Sequence, residues 1–211
     1  MNENTNYQLP ATHYHLKSGL TLVEFVTSIA ILGVLTLMIG SVYLAHFRLF
    51  SSQSASIDTS AQNKIAIEEI SNQIRESVGV DNSTRVPCNA NSDGTKLVLK
   101  LWPLNASGAP IDPSTSGGSY DYVLYKKDAS NNNFVKSVCP SPSNPQSYRR
   151  SLTDKILASN IQIQGVTLFV YEAPSGVITN SSWVTVTLKT QPKNSKETPF
   201  TQTVKVYLRN R

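Results

Sequence analysis

The stretch Lys17-Ser18-Gly19-Leu20-Thr21-Leu22-Val23-Glu24-Phe25 carries a polar leader into a long apolar run that holds one carboxylate, Glu24. No other residue between Leu20 and Leu44 is charged. The run is about 25 residues, and a helix of that length crosses a bilayer core of roughly 30 Å. A membrane-spanning helix is therefore the first expectation. Glu24 is its anomaly, because a carboxylate near hydrocarbon is costly and persists only with a partner or a function. An ordinary secretory signal runs from a basic start through an apolar core of about 7 to 15 residues to a small-residue cut. Here the order is reversed: Ser18 and Gly19 precede the run, and the residues before Leu20 carry only Glu3 and Lys17 as formal charges. A cut at these small residues spares the helix.

The order Gly19, an apolar residue, Thr21, Leu22, Val23, Glu24 resembles the N-terminal signal of type IV prepilins and type II secretion pseudopilins. In that family a membrane aspartyl peptidase cuts after the glycine and methylates the new amino terminus. The resemblance implies a cut between Gly19 and Leu20, N-methylation of Leu20, and Glu24 as the fifth mature residue. In a filament whose N-terminal helices exclude water, the free amine of a neighbouring subunit's Leu20 would neutralise Glu24 and set the axial register. Three departures from the common pattern stand out: leucine rather than phenylalanine follows the cut, Lys17 is one residue removed from Gly19, and the leader is long. The same residues also fit a plain signal anchor with an acidic residue near the interface.

The 211 residues leave room for one anchored domain of ordinary size. A net charge of +5 permits attraction to nucleic acid or anionic surfaces without demanding it. Charge does not decide the topology, since Lys17 lies before the span and Arg48 after it. The resemblance places the leader in the cytoplasm and the remainder outside. Cys88 and Cys139, the only cysteines, then lie in an oxidising compartment where two thiols commonly pair. Closing a loop of about 50 residues stabilises by roughly 4 kcal/mol on the chain-entropy account.

Beyond the apolar run the periodicity changes character. Ile57, Ala61, Ile67, Ile70, Ile74 and Val78 read as one apolar face, with Lys64, Glu68, Glu69, Gln73 and Glu76 elsewhere. Gly79 and the Asp81-Asn82-Ser83 segment with Pro87 read as a stop. One helix over 21–78 would measure about 87 Å at 1.5 Å per residue, half of it beyond any membrane. Its outer half is expected to lay its isoleucine face on a sheet. A polar collar at Ser52, Ser54 and Ser56 marks a place where it could bend.

After residue 80, short alternating segments separated by Gly, Pro, Asn and Ser predict strands at 96–102, 121–127, 133–139, 161–171, 183–190 and 202–209. In the last two, Val184, Val186 and Leu188 face one way, as do Val204, Val206 and Leu208, which indicates an antiparallel sheet covered on one side. The segment 151–158 reads as a short helix capped by Ser151, and 105–119 and 140–148 as irregular. The organisation expected is a leader at 1–19, a transmembrane or filament-core helix at 20–50, its amphipathic continuation at 51–80, and an extracytoplasmic β-rich domain at 81–211. The class is α+β, the pilin-like lollipop of a long helix packed on an antiparallel sheet.

The exterior part contains no histidine: His13 and His15 lie in the leader and His46 at the membrane edge. That removes Ser-His-Asp and Cys-His arrangements and any Cys/His zinc site from it. Neither a P-loop nor a dinucleotide fingerprint is present. Asp93, Asp112, Asp121, Asp154, Glu172 and Glu197 read as solvated acids, with a glycosidase-type pair as the alternative. Asp128 to Asn133 reads as a turn, lacking calcium-loop spacing. No cofactor or metal is expected. Lys189, Lys193, Lys196, Lys205, Arg209 and Arg211 either form a DNA-binding edge, with salt-sensitive phosphate contacts, or a charged edge that blunts strand pairing.

The resemblance implies a structural subunit rather than an enzyme: a minor pilin or pseudopilin, similar to the J-type pseudopilins or W-type minor pilins. Its partners by the same implication are the prepilin peptidase, sister pilins, an inner-membrane platform protein and a cytoplasmic assembly ATPase. The alternatives are a tip subunit that displays a DNA-binding or adhesive surface, and a single-pass anchored domain with no filament role.

Overall fold

The computed structural model describes residues 19, 21–83, 88–105, 107–113, 119–128, 130–141, 153–162, 166–173, 176–192 and 198–208. One long helix, α1 (Leu22–Glu76), is followed by eight strands among these residues: β1 (Gly79–Val80), β2 (Lys96–Leu101), β3 (Asp121–Lys127), β4 (Phe134–Cys139), β5 (Thr153–Ala158), β6 (Phe169–Glu172), β7 (Trp183–Thr190) and β8 (Phe200–Tyr207). The chain divides into two compact units, Met1–Leu49 and Phe50–Arg211.

The first unit holds the apolar part of α1, whose side chains are all exposed. The helix is long and apolar enough to cross a membrane. Its hydroxyls bond its own backbone: Ser28 Oγ donates to Glu24 O at 2.7 Å, Thr36 Oγ1 to Leu32 O at 2.7 Å and Ser41 Oγ to Met38 O at 2.8 Å. These hydroxyls are thereby satisfied without water, as hydrocarbon requires.

In the second unit, the strands form two antiparallel sheets, one ordered β1-β2-β3-β4-β5 and the other β6-β7-β8. The end of α1 buries Thr59, Asn63, Ala66, Ile67, Ile70, Ser71 and Ile74. At about 100° per residue, all of these fall within about 80° of Asn63, whereas Ile57, Ala61 and Ile65 lie about 120° or more away. Ile57 is accordingly 65% exposed and Ile65 59%. The expected placement of Ile57 and Ala61 on the sheet-facing stripe is corrected: angle, not apolarity, decides the face. Asn63 is fully buried, and its Nδ2 donates to Leu188 O at 3.2 Å and Thr190 Oγ1 at 3.1 Å, tying the helix to β7.

Both sheets share one core. Ile67, Ile70 and Ile74 pack with Leu97, Leu99 and Leu101 of β2 and with Val184, Val186 and Leu188 of β7. Phe134 bridges the sheets, its ring centroid 6.1 Å from Tyr125 and 6.3 Å from Phe169. The backbones meet at Gly94, whose carbonyl accepts from Leu168 N at 2.8 Å and Phe169 N at 3.1 Å. A Cβ there would stand 3.0 Å from Thr167 Cγ2, a tight contact that the threonine side chain would have to relieve. The Tyr171 hydroxyl completes this junction, donating to Lys96 O at 2.6 Å.

Several sequence-based expectations are revised. The segment expected as a short helix is strand β5, paired with β4. A register shift between Phe134 and Val135 lets consecutive Leu157 and Ala158 both turn inward. The strand expected over 161–171 is an isolated bridge, Ile161 to Thr190, followed by the shorter β6. β2 is not wet on one face: Val98 is as buried as Leu97 and Leu99, and packs with Ala90 and Leu124 in a second cluster. β7 does alternate as expected, with Val184, Val186 and Leu188 inward and Thr185, Thr187 and Lys189 outward.

Candidate functional site

The site opens at Gly19, which is exposed and has nothing within 4 Å of the position a Cβ would take. Leu20 lies outside the described residues. Thr21 is the N-cap of α1: its carbonyl accepts from Phe25 N at 3.1 Å, the first bond of the helix. Its backbone N–H donates to Glu24 Oε2 at 2.9 Å, and Glu24 N donates back to Thr21 Oγ1 at 3.3 Å. Reciprocal bonds between the N-cap and the third helical residue make a capping box. The Thr21 hydroxyl also donates to Glu24 Oε2, at 3.0 Å.

Glu24 thus has a role in its own chain: its carboxylate satisfies the Thr21 amide, while Thr21 Oγ1 satisfies the Glu24 amide that the first turn leaves without a helical partner. It also places a negative charge at the positive end of the helix, in the favourable sense for the helix dipole. Thr21 was missed in reading the sequence for function, although Thr followed three residues later by Glu, ahead of an apolar run, is the signature of this motif.

The disulfide Cys88–Cys139 is present, with Cα atoms 5.3 Å apart. Of the basic residues singled out, Lys189 and Lys205 fall on the outward face of the β7–β8 hairpin, Lys205 opposite Thr185 and Lys189 opposite Thr201. At about 3.3 Å per residue they stand roughly 13 Å apart along the strands. Lys205 Nζ sits 3.8 Å from the centroid of the Trp183 ring, and Tyr207 packs on the same indole at 5.5 Å. Lys193, Lys196, Arg209 and Arg211 lie outside the described residues.

The described acids have separate surroundings. Asp121 is buried and accepts from Ser141 N at 2.9 Å, while Asp154 and Glu172 are exposed. Asp93 closes the turn before β2, accepting from Thr95 N at 2.7 Å and Lys96 N at 2.8 Å. Burial would raise its pKa, but these bonds, the Thr95 hydroxyl and the Lys96 charge outweigh that and hold it below the ordinary value. Asp128 Oδ1 accepts from Ser130 N at 3.0 Å, making a local turn. Among the described residues no group of three His, Cys, Asp or Glu side chains could hold a metal ion. Glu197 lies outside them.

No protein-family model matches the chain, and neither a curated protein nor a solved structure does.

Proposed function

We propose that this chain is a minor pilin or pseudopilin, a structural subunit of a type IV pilus or type II secretion-like filament. The observation that carries the reading is the junction at Gly19. An exposed glycine stands two residues ahead of a Thr21–Glu24 capping box, which opens a helix whose first part is long and apolar enough to cross a membrane, and strands paired in antiparallel sheets follow it in the chain.

In this reading a prepilin peptidase removes 1–19 and methylates the Leu20 amine. The leader is cytoplasmic and the sheet domain extracytoplasmic. The apolar part of α1 waits in the inner membrane and then packs among sister helices, driven by a platform protein and an assembly ATPase. Glu24 does two jobs in succession. Its Oε2 closes the first turn of its own helix, and its remaining acceptor capacity takes the Leu20 amine of a neighbouring subunit once water is excluded.

The test is the amino terminus of the protein recovered from cells with and without an active prepilin peptidase. The expected result is N-methyl-leucine at position 20 only where the peptidase is active. An intact Met1 terminus in its presence would overturn the proposal.

A further inference from the structure

The sheet β1-β2-β3-β4-β5 has a cover on each face. α1 packs on one side. On the other lies a strap from the connection between β1 and β2, described over 81–83 and 88–95; that connection is far longer than the register Val80 opposite Leu99 requires. Its residues Cys88 and Ala90 lie over the outer face, where Ala90 closes on Val98 and Leu124 with Cys88 and Tyr122 beside them. This cluster is separate from the main core, and Val98 is 0% and Leu124 4% exposed.

The strap is tied at its two feet and at Cys88. At one foot Asp81 N donates to Val98 O at 2.8 Å and the Asp81 carboxylate meets Lys100 Nζ at 3.2 Å. At the other, Ser92 Oγ accepts from Val98 N at 2.9 Å and Asp93 N donates to Lys96 O at 2.9 Å. Cys139 ends β4, two strands from β2, so the disulfide carries the strap across β3, a span of about 10 Å. Cys88 is half-buried and Cys139 is 9% exposed, so the approachable sulfur is that of Cys88.

We propose that Cys88–Cys139 is a redox latch: its reduction frees the strap around Ala90 and uncovers Val98 and Leu124, while the core between α1 and the sheets stays closed. The two clusters face opposite sides of the same strands. The ladder bonds joining β2, β3 and β4 do not depend on the strap, so one cover can open without the other. A dithiol reductant balances the step. One of its thiolates attacks Cys88 Sγ, the S–S bond breaks, and Cys139 leaves as a thiolate that takes a proton. The second thiolate of the reductant then attacks the mixed disulfide, Cys88 leaves and is protonated, and the reductant departs as its own cyclic disulfide.

The experiment follows the methyl resonances of the full chain in detergent micelles, oxidised and then with excess dithiothreitol, in the presence of a soluble paramagnetic agent. Alkylation and mass measurement establish that both thiols are free. Val98 and Leu124 methyls are expected to shift and to broaden several-fold more after reduction, with Ile70, Leu97 and Val184 unchanged. No change at Val98 and Leu124 overturns the latch. Equal change at Ile70 and Leu97 also overturns it, since the bond would then hold the whole core. A Cys88→Ser, Cys139→Ser double variant must show the reduced pattern without reductant; oxidised-like shifts at Val98 and Leu124 in that variant refute the proposal as well.

Discussion

Two buried tyrosines make opposite predictions for the same substitution. Tyr171 donates its hydroxyl to Lys96 O at 2.6 Å and stands 3.0 Å from Asp93 O, at the junction of the two sheets. Tyr125 is 0% exposed and stacks on Phe134, and its hydroxyl is buried without a hydrogen-bond partner among the described residues. Burial holds both phenols well above the usual range, with the charges of Glu69 and Glu76 adding at Tyr125, so both are neutral at pH 7. Tyr171→Phe deletes a made bond and is expected to cost about 1 to 1.5 kcal/mol. Tyr125→Phe deletes a hydroxyl that has only its desolvation cost to lose, and is expected to stabilise by up to about 1 to 2 kcal/mol. For a unit of this size, 1 kcal/mol moves Tm by about 2 to 4 °C, so the two variants should lie on opposite sides of the parent, with Tyr171→Phe about 2 °C or more below it. Trp102 and Trp183, the only tryptophans, both lie in the second unit. Thermal unfolding of the full chain in detergent, followed by tryptophan fluorescence, therefore reports that unit alone. Equal losses in the two variants would refute the reasoning, because Tyr125 would then have a partner worth as much as that of Tyr171.

Glu24→Gln separates the two jobs assigned to Glu24. The amide can still accept from Thr21, so the cap survives, but it cannot neutralise an amine. Processing of both Glu24→Gln and Glu24→Ala is expected to stay near the parental level while filament incorporation, measured by quantifying sheared filaments, falls by tenfold or more in each. Normal incorporation of the glutamine variant would show that capping alone suffices. The second unit should also lose stability in acid through Glu69, which meets Lys136 Nζ at 3.0 Å and Lys155 Nζ at 2.9 Å. Burial raises the Glu69 pKa, but hydrogen bonds and charge from Lys155 and Lys136 outweigh it, and the folded value lies below 4.5. A depressed carboxylate pKa stabilises fully above the unfolded value and loses that contribution as pH falls through the folded one. In contact with water the pairs are worth about 0.5 to 1 kcal/mol. Urea unfolding at pH 7 and pH 3 should therefore show a smaller loss in Glu69→Gln than in the parent; an unchanged difference would rule the pairs out as the cause.

Alternation was readable where one face is buried and the other wet. Val184, Val186 and Leu188 on β7 are such a case, because a period of two has a single consistent explanation there. β5 was misread because Leu152, Ile156 and Leu157 stand at helical spacing, whereas in the strand Ile156 is 58% exposed and a bulge opposite Phe134 turns Leu157 and Ala158 inward together. On α1 the apolar residues Ile57 and Ala61 suggested a wider stripe than the one buried, while the polar Thr59, Asn63 and Ser71 were passed over although they are buried on the packed face. Residue type carries the mean tendency to be buried, whereas the helix phase is set by which partner strands arrive. At the candidate site the carboxylate was legible as an anomaly in an apolar run. Its bond to Thr21 was equally local and could have been read from the T-x-x-E spacing.

From sequence alone follow the long apolar helix, the lone carboxylate at its start, the Gly19 junction, and an α+β chain with short strands behind the helix. These rest on composition and on contacts within a few residues, which the order of the chain specifies directly. Only the tertiary structure decides that there are two sheets rather than one, that Asn63 and Tyr171 tie them to the helix and to each other, and that a disulfide-held strap closes a second apolar cluster over Val98 and Leu124. The physical reason is that these contacts join residues far apart in the chain. Their partners are selected by the packing of the whole unit, which no local pattern encodes.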